Sequence, residues 1–293
     1  MATRTPALFA DDFLFLEAPK WREDRLWVSD VFDHKVCALC ADGHRKTYLY
    51  VPNRPSGLGF LSDGSLIVAS AKDSRLLKYT SGEQLAEYAD LSKHTTGWLN
   101  DFAIDEHDRI YAGNFGYDFA AGEERRTTSL HRVDPDGTIE EVAREVDFPN
   151  GSVVIDGGRT LVVAETWAAR LTAFDIDDAG RLSNRRVFAD LGRRQPDGIC
   201  VDAEGAIWAG IYNTGEFVRV LDGGKITDTV QFPGSGISCT LGGKSGKTLF
   251  MTAFIGTESD MAAGKRNSAI YTMEVDVRGG EFAKTQIGYK GKL

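Results

Sequence analysis

Two carboxylates and one side-chain amide, Glu17, Asp197 and Asn150, each open a short polar-to-apolar step in this sequence. Brought to one point, they offer oxygen donors alone. Hard divalent cations take such a set, and calcium tolerates an irregular one completed by water. Magnesium, manganese, iron(II) and zinc also accept oxygen ligands, so the expected cofactor is one divalent ion, calcium first. Asn100 opens a further step and supplies a fourth oxygen donor or holds a metal-bound water. Ser56 and Ser238 open the remaining two and are weaker donors. His34, His44, His94, His107 and His131 all fall outside the steps, which disfavours a zinc or copper site built on imidazole.

The residues that open the steps, 17, 56, 100, 150, 197 and 238, lie 39, 44, 50, 47 and 41 positions apart. A repeat of that period, if each unit is a small antiparallel sheet, folds as a propeller whose equivalent positions face one axis. Turn-and-strand signals support the sheets. Asp63-Gly64 precedes Ser65–Ala69, Asp156-Gly157-Gly158 precedes Thr160–Ala164, and Glu204-Gly205 precedes Ala206–Ala209. Second strands follow at Ser74–Tyr79, Ala169–Asp175 and Glu216–Val220, with the alternation of half-exposed strands. Long helical periodicity is missing, and only Ser81–Ser92 has room for a helical turn. The expected fold is an all-β, six-bladed β-propeller forming a single domain over 1–293. Phe13–Leu16 and Ile270–Val275 are expected to share the closing blade. Inserts at Asn114–Arg126 and Gly256–Asn267 are places for substrate selection.

Asn-Gly and Asp-Gly are also ordinary hairpin turns. Yet Asn150-Gly151 and Pro196-Asp197-Gly198 precede the apolar strand, whereas the hairpin turns come later in each unit. Glu17 has no turn chemistry around it. An acid flanked by Leu16 and Ala18-Pro19 needs a partner or a cation to offset its desolvation.

Composition narrows the classes. The formal charge is −9, and no basic run stands out, so a nucleic-acid partner is not expected. No apolar stretch is long enough to span a membrane, and the N-terminal residues lack a signal-peptide core. A cytoplasmic protein is expected. Cys37 and Cys40 form a CxxC without a second pair, and all four cysteines are expected to be buried free thiols.

The motifs Leu16–Trp21, Asn100-Asp101, Phe148–Gly151, Ala164–Thr166 and Gln195–Asp202 with Gly205–Trp208 together resemble the senescence marker protein-30/gluconolactonase family, in order from about residue 14 to 220. The resemblance implies a six-bladed propeller with one divalent metal at the axial mouth, held by Glu17, Asn150 and Asp197, with Asn100 beside metal and substrate. It further implies a hydrolase. Members open sugar lactones or, in the diisopropylfluorophosphatase type, cleave phosphotriesters. For a lactone or ester substrate the metal polarises the carbonyl and Asp197 serves as general base; in the phosphotriester variant Asp197 is the nucleophile. A non-hydrolytic propeller that isomerises or binds a small molecule is the remaining alternative. Sugar lactonases often carry an arginine two residues before the third-repeat asparagine, where this chain has Trp98. Trp98, Trp167 and Tyr212, with Phe115 and Tyr117, are expected to line the mouth and favour a less polar ring than a free sugar-acid lactone.

Overall fold

The computed structural model describes residues 5–118 and 121–280. Six four-stranded antiparallel sheets make up the fold, and five of them are formed by strands consecutive in sequence. Their innermost strands are Leu16–Arg22, Pro55–Phe60, Leu99–Ile104, Pro149–Ile155, Pro196–Val201 and Ser235–Gly242. These read as nearly continuous buried runs because both their faces pack against neighbouring blades. The outermost strands, such as Arg45–Tyr50, Ala86–Asp90 and Leu182–Asp190, carry the charge and alternate towards solvent. The strand Ala86–Asp90 occupies the segment where a helical turn had room. Asp63-Gly64 forms a hairpin turn, with Gly64 at φ 90° and Asp63 Oδ1 accepting from Ser65 N.

The apolar core lies between blades rather than on the axis. Val162, Leu171 and Phe188 of the fourth blade pack with Ile199, Ile207 and Val218 of the fifth. Ile67 and Leu76 of the second meet Phe102 and Ile110 of the third. Face-to-face packing of twisted sheets fixes the ring and leaves its centre to the inner-strand side chains.

The sixth sheet closes the ring. Its outer strand is Ala7–Phe13, paired with Ser268–Glu274. The expected closure is present, but the N-terminal partner lies earlier than Phe13–Leu16, because Leu16 already begins the first blade. Leu16 N donates to Ser268 Oγ (3.1 Å) across that seam.

In every blade the pairing of inner and second strands slips by one residue just inside the strand start, between Glu17 and Lys20, Pro55 and Leu58, Leu99 and Phe102, Pro149 and Ser152, Pro196 and Ile199, and Gly236 and Ser238. Such bulges re-aim side chains at the rims of closed sheets. This register makes 56, 100, 150 and 197 equivalent, as the repeat predicts, whereas Glu17 lies one residue before the equivalent position, which Ala18 holds at φ 48°. The sixth equivalent is Gly236, not Ser238. Ser238 sits two residues further on, its N–H donating to Thr252 Oγ1 (3.0 Å).

Cys37, Cys200 and Cys239 are buried and free, as expected. Cys40 is exposed instead. It lies past the strand Lys35–Leu39, in a turn where its N–H donates to His44 O and its carbonyl accepts from Gly43 N. Among the described residues no helix is long and apolar enough to cross a membrane.

Candidate functional site

Glu17, Ser56, Asn100, Asn150 and Asp197 converge on one open pocket of about 350 Å³, which Trp98, Trp167 and Tyr212 also line. Residues as far apart as 17 and 212 therefore meet. The later parts of the inner strands, with Lys20, Ser152, Cys200 and Thr240, line a separate small cavity further along the same strands.

The glycines after Asn150 and Asp197 are there for close approach, not for turning. A Cβ on Gly151 would lie 2.5 Å from Ile199 N, and one on Gly198 would fall inside the Ser238 side chain. Neither glycine has positive φ. The fourth inner strand is thus pressed against the fifth, and the fifth against the sixth.

Polar side chains tie neighbouring blades around the mouth. Ser29 Oγ donates to Ser56 O (2.7 Å), and Ser56 Oγ donates to Asn100 Oδ1 (3.4 Å). Asn100 Nδ2 donates to Pro149 O (3.1 Å), and Thr166 Oγ1 donates to Pro196 O (2.8 Å). Both ends of the Asn100 amide are therefore held by protein at the pocket wall. Asn150 Nδ2 donates to Thr166 Oγ1 (3.2 Å), and the N–H side of the same amide faces the Asp197 carboxylate.

The acids are buried and poorly offset. Asp197 is 5% exposed, and its Oδ1 has no hydrogen-bond partner. Burial, and then the charge of Asp101, push its carboxyl up to about 8, while the Asn150 amide and Gly198 N–H pull the other way. Glu17 is raised well above the usual carboxylate range by burial, then by Asp197 and Asp101. Asp101, absent from the expected ligand set, is a third acid in this group; burial raises it and the Lys20 ammonium lowers it. Gly57 makes room for it, since a Cβ there would sit 2.7 Å from Asp101 Oδ1.

This cluster fits a divalent cation. It has an orphaned buried carboxylate oxygen, a second buried acid beside it and the Asn150 amide on the same wall. Among the described residues no three His, Cys, Asp or Glu side chains group as a metal cluster. The set is two carboxylates and one amide, thin enough to need water ligands, which suits calcium or magnesium better than zinc.

The pocket wall is an aromatic arc. Trp98 stacks on Phe115 (6.1 Å between centroids), Phe115 on Phe148 (4.6 Å), and Phe148 packs against Trp167 (4.9 Å). Trp167 Nε1 donates to Tyr117 Oη (3.0 Å), so Tyr117 braces the arc from behind. Opposite, Tyr212 Oη donates to Glu258 Oε1 (3.4 Å). Glu258 and Met261 come from a short helix, Glu258–Ala262, inside the sixth-repeat insert.

Sequence reasoning missed Arg54, Phe148 and Phe15 as wall residues. They stand two residues before Ser56, Asn150 and Glu17, the position Trp98 takes before Asn100, so the repeat phase itself was the signal. Glu165, within one of the family-like motifs, does not reach the pocket. It is fully buried, with Arg170, Arg185, Thr172 Oγ1 and Asp147 N bonded to its carboxylate.

The fold and pocket define a six-bladed β-propeller whose bulged inner strands converge on one acidic, aromatic-walled site. A family model described as "SMP-30/Gluconolactonase/LRE-like region" matches residues 15–255; the chain belongs to that family. The match runs past residue 220 into the sixth blade, further than the motifs alone trace. Regucalcin of Gallus gallus is 28% identical over 255 residues, covering 83% of this chain and 84% of that protein. Two solved structures share the ring. Regucalcin of Agrobacterium tumefaciens, described as a calcium-binding protein, has a TM-score of 0.78 at 21% identity, over 94% of this chain and 96% of its own. A gluconolactonase of Xanthomonas campestris has a TM-score of 0.78 at 21% identity, over 94% and 91%.

Proposed function

We propose that this protein is a divalent-metal-dependent hydrolase that opens a lactone. The observation that carries the reading is Asp197 Oδ1, buried and without a protein partner, in a pocket shared with Glu17, Asn150 and an aromatic wall. Glu17, Asn150 and Asp197 would hold the cation, calcium first by the character of the donors. A bound cation supplies Lewis-acid polarisation of the ring carbonyl.

The chain's own residues do the rest. Asp197 takes the proton of the attacking water at the carboxylate oxygen that the cation leaves free. Asn100, clamped between Ser56 and Pro149, fixes the wall beside the reacting ester. Trp98 and Trp167 cover the apolar face of the ring, and Tyr212 closes the opposite side, excluding bulk water. Membership of a family that includes gluconolactonases supports ester opening.

The deciding experiment is hydrolysis of aliphatic and sugar-derived lactones by chelator-stripped protein with single cations restored. Turnover that returns with one cation supports the reading and names the metal. A protein that binds the cation tightly and opens no ring refutes lactone hydrolysis and turns the search to phosphotriesters.

Two further outcomes follow from the buried acids. Glu17→Gln is expected to lower the melting temperature only when the cation is present, because it removes a ligand and a buried charge together. An equal fall with and without cation would make Glu17 a structural acid. The metal-free protein is expected to lose stability as pH rises from about 5 to about 8. The folded carboxyls of Glu17 and Asp197 are raised above their ordinary values of 4.5 and 3.8. In that window the native state therefore holds protons that the unfolded chain has released, so stability falls with pH. Acids held low by partners, such as Glu165 and Asp33, act below about pH 4.5. His131, lowered by burial and then by His94, opposes the fall only below about pH 6.5, so the upper part of the window reads the two acids. Saturating cation should flatten the slope; urea melts at the two pH values, with and without metal, read it directly.

A further inference from the structure

Arg54 is a pocket residue without a counter-charge. It enters the second blade's inner strand at φ 70°, a left-handed conformation rare outside glycine. Its guanidinium carbon lies 4.8 Å from the Phe32 ring centroid and 5.3 Å from that of Trp98. Both rings line the same pocket. Its Nε is buried with no hydrogen-bond partner. Among the described residues no carboxylate lies within ion-pair distance of it, whereas Arg109, Arg132 and Arg219 each hold an aspartate. Burial alone pulls Arg54 below the ordinary arginine range, and no nearby acid offsets it. A half-buried cation kept unpaired costs stability, and the cost is recovered only when an anion arrives.

The surroundings add to the positive side. Lys72 Nζ lies 5.3 Å from the Trp98 ring centroid, and Lys72 N donates to Asn53 O beside Arg54. Across the ring, the fifth and sixth blades present Tyr212 and the Glu258 carboxylate. The mouth is therefore polar in one direction, cationic over the second blade and acidic over the sixth. With a divalent cation balancing Glu17 and Asp197, Arg54 and Lys72 would be the uncompensated charges on their side of the pocket.

We infer that Arg54 receives an anionic group of the substrate, so that the preferred ligand is an amphipathic lactone bearing a carboxylate remote from the ester. The apolar part of such a ligand lies on the Trp98–Phe148 arc, and its carboxylate meets the guanidinium, which offers paired N–H donors to two oxygens. The ring is thereby turned with its ester towards Asp197. The substrate class rests on the lactonase reading; the anion subsite itself does not.

The test uses binding first and turnover second. 3-Phenylpropanoate and its neutral amide are titrated into the metal-loaded and the chelator-treated protein by calorimetry. Wild type is expected to bind the anion about 10- to 100-fold more tightly than the amide, the span of a charged hydrogen-bonded contact. Added salt should weaken that preference. Arg54→Gln should erase it, Arg54→Lys should restore part of it, and amide binding should stay within about twofold. Equal binding of both probes to wild type overturns the proposal, and that measurement needs no variant to fold. A preference that persists in Arg54→Gln, or that exists only with metal bound, assigns the anion to another group and overturns it too.

Turnover of a carboxymethyl-substituted γ-lactone against its methyl ester then separates the two readings. An Arg54-dependent anion preference in a protein that opens neither ring refutes hydrolysis and leaves the subsite standing. Fast opening of both rings alike upholds hydrolysis and removes the subsite.

Discussion

Asp197→Asn is expected to reduce kcat/KM for lactone opening on the order of a thousandfold, the range lost with a general base. The same substitution should raise the melting temperature of the metal-free protein. Asparagine has nearly the same shape and cannot carry the charge that Asp197 sets against Glu17 and Asp101 in a buried site. Removing that charge relieves repulsion which, in the wild type, only a cation or a proton relieves. Activity and metal-free stability should thus move in opposite directions, as expected where a strained group is kept for chemistry. Progress curves on the most responsive lactone, with thermal melts in chelator, measure both. Turnover within about tenfold of wild type would show that Asp197 is not the base; an unchanged metal-free melting temperature would show that its charge is not strained.

Glu165→Ala is the opposite case. Glu165 is as deeply buried as any acid in the chain, yet Arg170 and then Thr172 and Asp147 N hold its carboxyl below the usual range despite burial. Truncating it leaves Arg170 and Arg185 without their anion and Asp147 N without an acceptor. Breaking a buried pair costs about 3–5 kcal/mol. The lower end applies here, because both arginine side chains are about one-third exposed (34% and 31%) and regain water. About 3 kcal/mol corresponds to a fall of roughly 5–10 °C in Tm for a chain of this size. The fall should be the same with and without cation, since Glu165 does not line the pocket. A loss seen only with cation would place Glu165 in the metal site after all.

These two acids show what the sequence can disclose. The period of the steps was enough to predict six blades and to bring residues 17, 100, 150 and 197 to one pocket, because a propeller repeats one geometry. The sixth step was misplaced because Gly236-Ile237 carries no polar mark at the equivalent position, and Ser238, two residues on, resembles one. Cys40 was misjudged because burial follows the end of a strand, and no pattern marked that end at Leu39. Asp101 escaped notice as the second residue of its step, a place that holds glycine in the second, fourth and fifth blades. Glu165 was visible only as a motif. Whether an acid meets arginines or a cation depends on the adjacent strand and blade, and the order of residues along one strand does not encode that. Arg54 was legible in principle, since it repeats the phase of Trp98 one blade earlier.

The seam of the ring has a consequence for how the protein comes into being. Ala7–Phe13 is made before any of the first five blades, yet its sheet partner Ser268–Glu274 follows all of them. Early blades can pair their own strands during translation, as local hairpins form readily. The first blade's inner strand, which carries Glu17, cannot be pinned by Ser268 until all five blades that precede Ser268 have been made. Until then Ala7–Phe13 remains an unmatched outer strand. The pocket acquires its shape only when the ring is shut.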